Sequence, residues 1–333
     1  MHTITPPTGL PTTAATRATR LEQLRAAADV CVALGRLAPD PDLHDEVSRR
    51  LHTLFVRIAA CEAGGYTRAE IAEVVWPVRE LVVASPLFSR LQRWPRGYQG
   101  DFETLAQLHA GESRTSEGTL AQLLDRFLLR SPVALQYRNR VARQVALMQD
   151  ALASRGHAAR ILVLGAGPAE DVRAVAAHVR LAPGQITLHD ADPQALAWAQ
   201  ARLAGAGCAT VGGDVLRVLA PLAERGPFDL VLAGAVLDEL PDRQAAALLH
   251  GVHAALVAPG GRVFVGAAAS GNVYRPCLEY LTDWTLVERT ERELARLCRA
   301  AGVPAGSLRL ERDATGTVLL AELVASERAL AAA

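Results

Sequence analysis

The stretch "RILVLGAGPAEDV", Arg160 to Val172, constrains this chain more than any other. Four apolar residues end on two glycines spaced by one residue, and Glu170 and Asp171 then open a helical pattern. A short apolar run closed by glycine reads as a buried strand, and an acidic pair suits a helix N-terminus. The alternation then repeats. "QITLHDAD" is a second strand before the helix "PQALAWAQARLAGA", "CATVGGDV" a third, and "FDLVLAGAV" a fourth after a short helical connection. "DRQAAALLHGVHAALVAPGG" reads as a helix ending at glycine, "RVFVGAAA" as a fifth strand and "TERELARLCRAAGV" as another helix. "SLRLERDATGTVLLAELV" closes as a hairpin around Ala314, Thr315 and Gly316. Alternating strands and helices predict an α/β fold with a doubly wound, mostly parallel sheet. Ligands of such sheets sit at the C-terminal ends of the strands.

The part before Arg160 has a different texture. Apolar residues at three- and four-residue spacing predict helices in "LEQLRAAADVCVALGRL", "DLHDEVSRRLHTLFVRIAACEA" and "TRAEIAEVVWPVRELVVA". "SPLFSRLQRWPRGYQGDFETL" interrupts that rhythm with Pro95, Gly97 and Gly100, and a further helical region runs from Leu120 to about Ala153. The Thr/Pro-rich start lacks the apolar core of a secretory signal and reads as a disordered leader. The expected organisation is a leader over 1–20, a helical lid and substrate domain over 21–155, and an α/β ligand-binding domain over 156–333.

Lys plus Arg equals Asp plus Glu at 35 each, so the formal net charge is zero. That argues against a nucleic-acid or anionic-membrane binder, which carries a basic surplus. No apolar run reaches membrane-spanning length. The five cysteines are scattered without a CxxC pair, which suggests neither a zinc site nor a disulfide framework and fits a reducing cytoplasm. The nine histidines form no metal pattern, and no metal is expected.

The glycine turn meets the context that a nucleotide-binding turn requires, a strand before it and a helix after it. Gly165-Ala166-Gly167-Pro168-Ala169-Glu170 lacks the third glycine of a dinucleotide fingerprint, however, and Glu170 and Asp171 would repel a pyrophosphate. The expected ligand is a nucleoside without phosphate, and the acids could lie near an ammonium or sulfonium. Asp190, at the end of the second strand, can accept both ribose hydroxyls. Asp192 is its rival, and is equally able to cap the helix that starts at Pro193. Asp214, after Gly213, is placed for an adenine amino group, with a turn or cap role as the alternative.

Taken together these stretches resemble the class I S-adenosylmethionine (SAM)-dependent methyltransferases, in particular the bacterial subgroup associated with 3-hydroxypalmitic acid methyl ester biosynthesis. The resemblance rests on "RGYQGDFE", "YRNR", "LGAGPAED", "HDADPQALAWA", "FDLVLAGAVLDELPDR", "PGGRVFVG" and "EYLTDWTLVERTEREL", between about Leu87 and Val303. It implies a Rossmann-like methyltransferase sheet with an antiparallel last strand, preceded by an α-helical domain. It further implies SAM held by Gly165, Ala166, Gly167, Asp190, Ala191, Gly213, Asp214 and Val215, with Ala233 and Gly234 lining the methionine part. Two departures stand out. Ala267-Ala268-Ala269 replaces a polar segment, and Asp238-Glu239 stands where the subgroup has Asp-Tyr.

For catalysis the candidates are Tyr98, Asp101 and Asn139. Tyr98 and Asp101 belong to a glycine-bearing loop that is either a lid facing the sulfonium or a turn in which Asp101 caps "FETLAQLHA". Asn139, one of two asparagines in the chain, could meet a ligand carboxylate or amine or lie at the surface. Trp284 and Arg289 read as packing residues, and His189 should point away from Asp190. The leading expectation is a cytoplasmic small-molecule methyltransferase of secondary metabolism with a carboxylate or hydroxyl acceptor. A SAM-consuming cyclase that releases methylthioadenosine, and a non-catalytic SAM-binding partner subunit, are the alternatives.

Overall fold

The computed structural model describes residues 14–325. The expected leader therefore falls outside the described residues up to residue 13, and helix α1 (Ala14–Val32) already begins at Ala14. The chain divides into two compact units that interleave along the sequence. One runs up to Arg93 and adds 114–127 and 273–283; the other takes 94–113, 128–272 and the chain from Trp284 onward.

The first unit is helical. It contains α1, α2 (His44–Ala63), α3 (Arg68–Val82) and α4 (Pro86–Arg93). Helix α3 starts at a capping box in which Thr67 and Glu70 satisfy each other's backbone N–H groups, which terminates the preceding glycine turn cleanly. The stretch expected to interrupt the helices begins with one instead: Pro86 is tolerated in the first turn of a helix, and α4 forms ahead of Pro95, Gly97 and Gly100. Leu24, Cys31, Leu51, Leu54, Ile58, Ile71, Val75 and Val78 are buried where α1 meets α2 and α3.

The second unit carries the sheet. Helix α5 (Phe102–Ala110) and the long α7 (Pro132–Arg155) precede it, while α6 (Leu120–Arg130) crosses the boundary between the units. The expected helical region from Leu120 breaks at Ser131-Pro132, because Ser131 caps α7 by accepting from Val133 N and Pro132 cannot continue α6. The strands and helices then alternate as β1 (Ile161–Leu164), α8 (Glu170–Ala176), β2 (Ile186–Asp190), α9 (Pro193–Arg202), β3 (Ala209–Gly212) and α10 (Leu219–Ala223). They continue as β4 (Phe228–Ala233), α11 (Asp242–Gly251), β5 (Val257–Ala268), α12 (Glu291–Ala300) and the hairpin β6 (Leu308–Arg312)–β7 (Val318–Val324).

Among the described residues the sheet has seven strands in the order β3-β2-β1-β4-β5-β7-β6, with β1 to β5 parallel and β7 antiparallel to β5. The doubly wound sheet and its reversed last strand are as the sequence predicts. β5 is longer than expected, since Val257 to Gly261 also extend after α11 unwinds through a wide turn at Val252–Leu256. Alternate residues of the strands feed two apolar layers. Leu162, Leu164, Val231, Val263 and Val265 pack toward α11 and α12. Ile161, Val163, Leu230, Leu232 and Phe264 pack toward α7, α8 and α9. The strand order reverses between β1 and β4, and there the crevice of such sheets opens. Among the described residues no helix is long and apolar enough to cross a membrane.

Candidate functional site

The crevice holds a cavity of about 570 Å3 within the α/β unit, inside the usual range for a small-molecule site. Its floor is the glycine turn after β1. The register sets it: Leu164 pairs with His189, so Gly165 stands level with Asp190. Gly165, Gly167 and Ala169 all have positive φ, at 61°, 51° and 51°. A Cβ at Gly165 would also lie 2.6 Å from Val236 Cγ2, so both conformation and space demand glycine.

The turn offers no free amide to a phosphate. Ala166 N donates to His189 O at 2.8 Å, Gly167 N to Asp190 Oδ2 at 2.8 Å and Ala169 N to Ala166 O at 2.8 Å. Gly165 N faces His189 Nδ1 at 3.4 Å, and Pro168 has no N–H. His189 is buried and its pKa is lowered by that burial; Nε2 donates to Gly213 O at 2.9 Å, which leaves Nδ1 as the acceptor. His189 thus lines the cavity and props the turn through Gly165 N and Gly213 O, while the Asp190 carboxylate takes other partners.

Asp190 has a definite capacity left. Oδ2 accepts from Gly167 N and Oδ1 from Asp192 N at 2.9 Å. A carboxylate has about four acceptor positions, so about two remain for a ligand. Burial raises its pKa, followed in opposition by those two backbone bonds. Asp192 caps α9 by accepting from Gln194 N at 2.8 Å, and its other oxygen accepts the Tyr98 hydroxyl at 2.9 Å. Asp214 Oδ1 accepts from Leu216 N and Arg217 N at 3.0 and 3.2 Å, which leaves Oδ2 open. Glu239 also lines the cavity. Desolvation, then Asp238 and Asp190, push its pKa up to about 6.

The segment 94–113 forms the cavity's outer wall. Tyr98, Phe102 and Leu105 line it, and Gly100 sits so close to the Trp284 indole that a Cβ there would be 2.5 Å from the ring. Asp101 is buried and caps α5, accepting from Thr104 N at 2.9 Å, and so orients Phe102 and Leu105. Burial and the bond to Asp192 raise the Tyr98 pKa, which keeps it a phenol. Arg289 is buried and donates to Leu237 O and Leu240 O, tying down the loop after β4.

Of the expected site residues, the structure brings Tyr98, Gly165, Gly167, Asp190, Ala191, Asp214 and Val215 together around the cavity. Ala166 and Gly234 line a smaller adjoining chamber. Gly213 and Ala233 line neither; Gly213 serves through its carbonyl, and Ala233 belongs to the core. Asn139 also lines neither, and its amide donates to Asp313 Oδ2 at 2.9 Å beside the β6–β7 hairpin. Sequence reasoning assigned no role to Arg140 and Gln144, which line the chamber from α7 with Tyr137 and Val141. Only their four-residue spacing on one helix could have signalled them. Among the described residues, no group of three or more His, Cys, Asp or Glu side chains could hold a metal ion.

Residues 161–261 match the methyltransferase domain family. No curated protein sequence matches the chain. Among solved structures, a possible exported protein from Bordetella parapertussis is 18% identical with a TM-score of 0.55, covering 95% of this chain and 97% of that one. The N-methyltransferase NodS from Bradyrhizobium japonicum WM9, in complex with S-adenosyl-L-homocysteine, is 20% identical with a TM-score of 0.41, covering 60% of this chain and 90% of that one. The magnesium protoporphyrin IX methyltransferase ChlM from Synechocystis PCC 6803, with bound SAM, is 15% identical with a TM-score of 0.42, covering 59% and 82%. The Bordetella likeness is one of fold. The chain has an α/β Rossmann-like methyltransferase fold, and the match to the methyltransferase domain family falls on residues 161–261 of it.

Proposed function

We propose that this chain is a SAM-dependent methyltransferase that acts on a small molecule. The observation that carries the reading is the state of the glycine turn. Its amides are all engaged within the protein while Asp190 keeps about two acceptor positions, so the site suits a ribose and not a phosphate. The methyltransferase domain match supplies the reaction class.

SAM fits the residues present. Asp190, with about two acceptor positions left, would take the two ribose hydroxyls, and the open Oδ2 of Asp214 the adenine amino group. Ala191 and Val215 line the cavity where they would flank the base, and Gly165 and Gly167 would let the ligand approach the backbone. The cofactor supplies an electrophilic methyl group on a sulfonium. Tyr98, Phe102 and Leu105 give the cavity an apolar outer wall, and positioning is the protein's main contribution. Tyr98 acts through its ring and its bond to Asp192, and Asp101 acts by holding α5.

The finer reading follows the resemblance for a carboxylate or hydroxyl acceptor and a place in secondary metabolism, and the scattered cysteines for a cytoplasmic location. Cofactor binding belongs to residues 156–333 together with the wall supplied by 94–113. Ala267 to Ala269 are buried and apolar, so that strand end supplies no proton-handling side chain.

Mass spectrometry of the purified protein with SAM tests the proposal. SAM alone is expected to stay intact, and S-adenosylhomocysteine to form once a carboxylate or hydroxyl acceptor is added. Enzyme-dependent methylthioadenosine without any acceptor would replace methyl transfer by cyclisation. Bound SAM with no turnover across acceptors would leave a binding subunit.

A further inference from the structure

Three of the four acids on the main cavity's wall are anchored by hydrogen bonds to the protein. Asp190 holds Gly167 N and Asp192 N, Asp192 holds Gln194 N and the Tyr98 hydroxyl, and Asp214 holds Leu216 N and Arg217 N. The fourth, Glu239, is open to the cavity, and among the described residues its carboxylate has no hydrogen-bond partner.

The backbone that carries Glu239 is nevertheless held on both sides. The buried Arg289 donates from Nη1 to Leu237 O at 2.6 Å and from Nη2 to Leu240 O at 2.5 Å. Between them, the Asp238 carboxylate accepts from Arg140 Nη1 and Ala268 N, both at 2.6 Å, and the Asp238 carbonyl accepts from Val287 N at 2.7 Å. Asp238 is thereby turned into the protein, and the next side chain is left facing the cavity. A free side chain on so firmly held a backbone is a group positioned for a ligand.

An ionised carboxylate only accepts hydrogen bonds, so its ligand must bring a donor. The two acceptor classes named above differ in this respect. A hydroxyl has a proton to give, and must lose it when its oxygen takes up a methyl group. A carboxylate acceptor has none, and it would enter a cavity already lined by four acids as a like charge. Asp190 and Asp214 are taken by the nucleoside in the SAM reading. Tyr98 stays a phenol, Arg96 is held by Gln194 and Glu103, and His189 is engaged with Gly213 O and Gly165 N.

We infer that the methyl acceptor carries a hydroxyl group and that Glu239 takes its proton. The hydroxyl oxygen bonds to the methyl carbon while the carbon–sulfur bond breaks, its electron pair staying on sulfur. The proton passes to a Glu239 carboxylate oxygen and from there to water. The product is a methyl ether and not a methyl ester. The inference rests on the SAM reading and narrows it, and it gives a task to the acid that stands where the resembled subgroup has tyrosine.

A pH dependence follows. Although open to the cavity, Glu239 is crowded enough by protein for desolvation to push its pKa up to about 6, with Asp238 and Asp190 adding to the rise. Asp192, Asp214, His189, Tyr98 and Arg96 face the same space. A base works only when ionised, so methyl transfer should be level above about pH 6 and fall about tenfold for each pH unit below it.

Binding and turnover on the full chain test this with acceptors matched in shape, para-propylphenol against para-propylbenzoic acid and decanol against decanoic acid. In calorimetry with S-adenosylhomocysteine present, the hydroxyl probes should bind at least about tenfold tighter than the acids at about pH 8. Glu239→Gln should remove that preference while changing S-adenosylhomocysteine affinity less than about threefold. With SAM, mass spectrometry should find methyl ethers and no methyl esters, and Glu239→Gln should slow their formation about 100-fold and flatten the pH profile. Glu239→Asp, which keeps a carboxylate, should keep the profile. A fall below pH 6 that persists in Glu239→Gln assigns the titration to another group and overturns the role of Glu239. Loss of S-adenosylhomocysteine affinity in that variant would make Glu239 a binding group for the cofactor and overturn the role equally. Methyl esters, or no product from either hydroxyl probe while S-adenosylhomocysteine still binds, overturn the inference alone. A wild-type chain that does not bind S-adenosylhomocysteine overturns the SAM reading and the inference with it.

Discussion

On one side of the glycine turn after β1, the cavity meets Asp190, Asp192, Asp214 and Glu239, and backbone amides supply most of their hydrogen bonds. On the other, the chamber meets Arg140 and Gln144, each of which keeps buried polar atoms without a hydrogen-bond partner. The first face is built by strand ends and the turns that follow them, so its residues sit at fixed offsets from Gly165 and Gly167. The second is built by α7, which reaches the turn only because the apolar layer of Leu147, Met148, Val172 and Phe264 seats it against the sheet. Local chain geometry makes one half of the site and tertiary packing makes the other.

The largest effect expected on the first half is from Asp190→Ala. It removes two charge-assisted hydrogen bonds to the ligand, each worth about 1.5–3 kcal/mol, so affinity should fall at least about 100-fold. It should weaken methylthioadenosine and S-adenosylhomocysteine alike in calorimetry, because both carry the ribose. Selective loss of one ligand would erase the division between the two halves.

Asp171→Asn probes the stability of the second half. Its carboxyl rises from 3.8 to about 6 on folding, so between those values the folded state binds more protons than the unfolded one, and stability falls as pH rises. The asparagine variant should be more stable than the wild type by up to about 3 kcal/mol above pH 6, with the gain vanishing below about pH 4. Urea unfolding at about pH 8 and pH 4 measures both ends. An equal effect at the two values would mean that burial does not shift this acid.

The smallest effect belongs to Asn139→Ala. Its amide holds Asp313 rather than lining either space, so ligand affinity should change less than about twofold, with about 1 kcal/mol lost from stability. A large affinity loss in calorimetry would move α7's ligand-facing side by a quarter turn.

Much of this was legible before the structure. Apolar runs ending in glycine marked β1 to β4, and Gly165, Gly167 and Asp190 could be placed because strand register converts their sequence offset into proximity. Asp192 and Asp101 were readable as caps, since each stands before the first turn of a helix. The stretch after Ser85 and the long Leu120 region misled, because a proline that cannot continue one helix can start the next, as Pro86 and Pro132 do. Glu170 and Asp171 looked alike, yet Glu170 pairs with Arg173 and Arg202 while Asp171 turns to Gln144. Tyr137 to Arg140 occupy successive positions of one helix, and which of them faces the ligand depends on how α7 rotates against the sheet. No local pattern encodes that rotation.

The central claim is that the glycine turn serves a nucleoside and not a phosphate, and competition between S-adenosylhomocysteine and NAD tests it most directly. With the amides of Gly165, Ala166, Gly167 and Ala169 engaged within the protein, calorimetry should record binding of S-adenosylhomocysteine that saturating NAD does not displace. NAD binding that displaces S-adenosylhomocysteine would contradict the account, because a pyrophosphate would then have found donors on a turn that has none to offer.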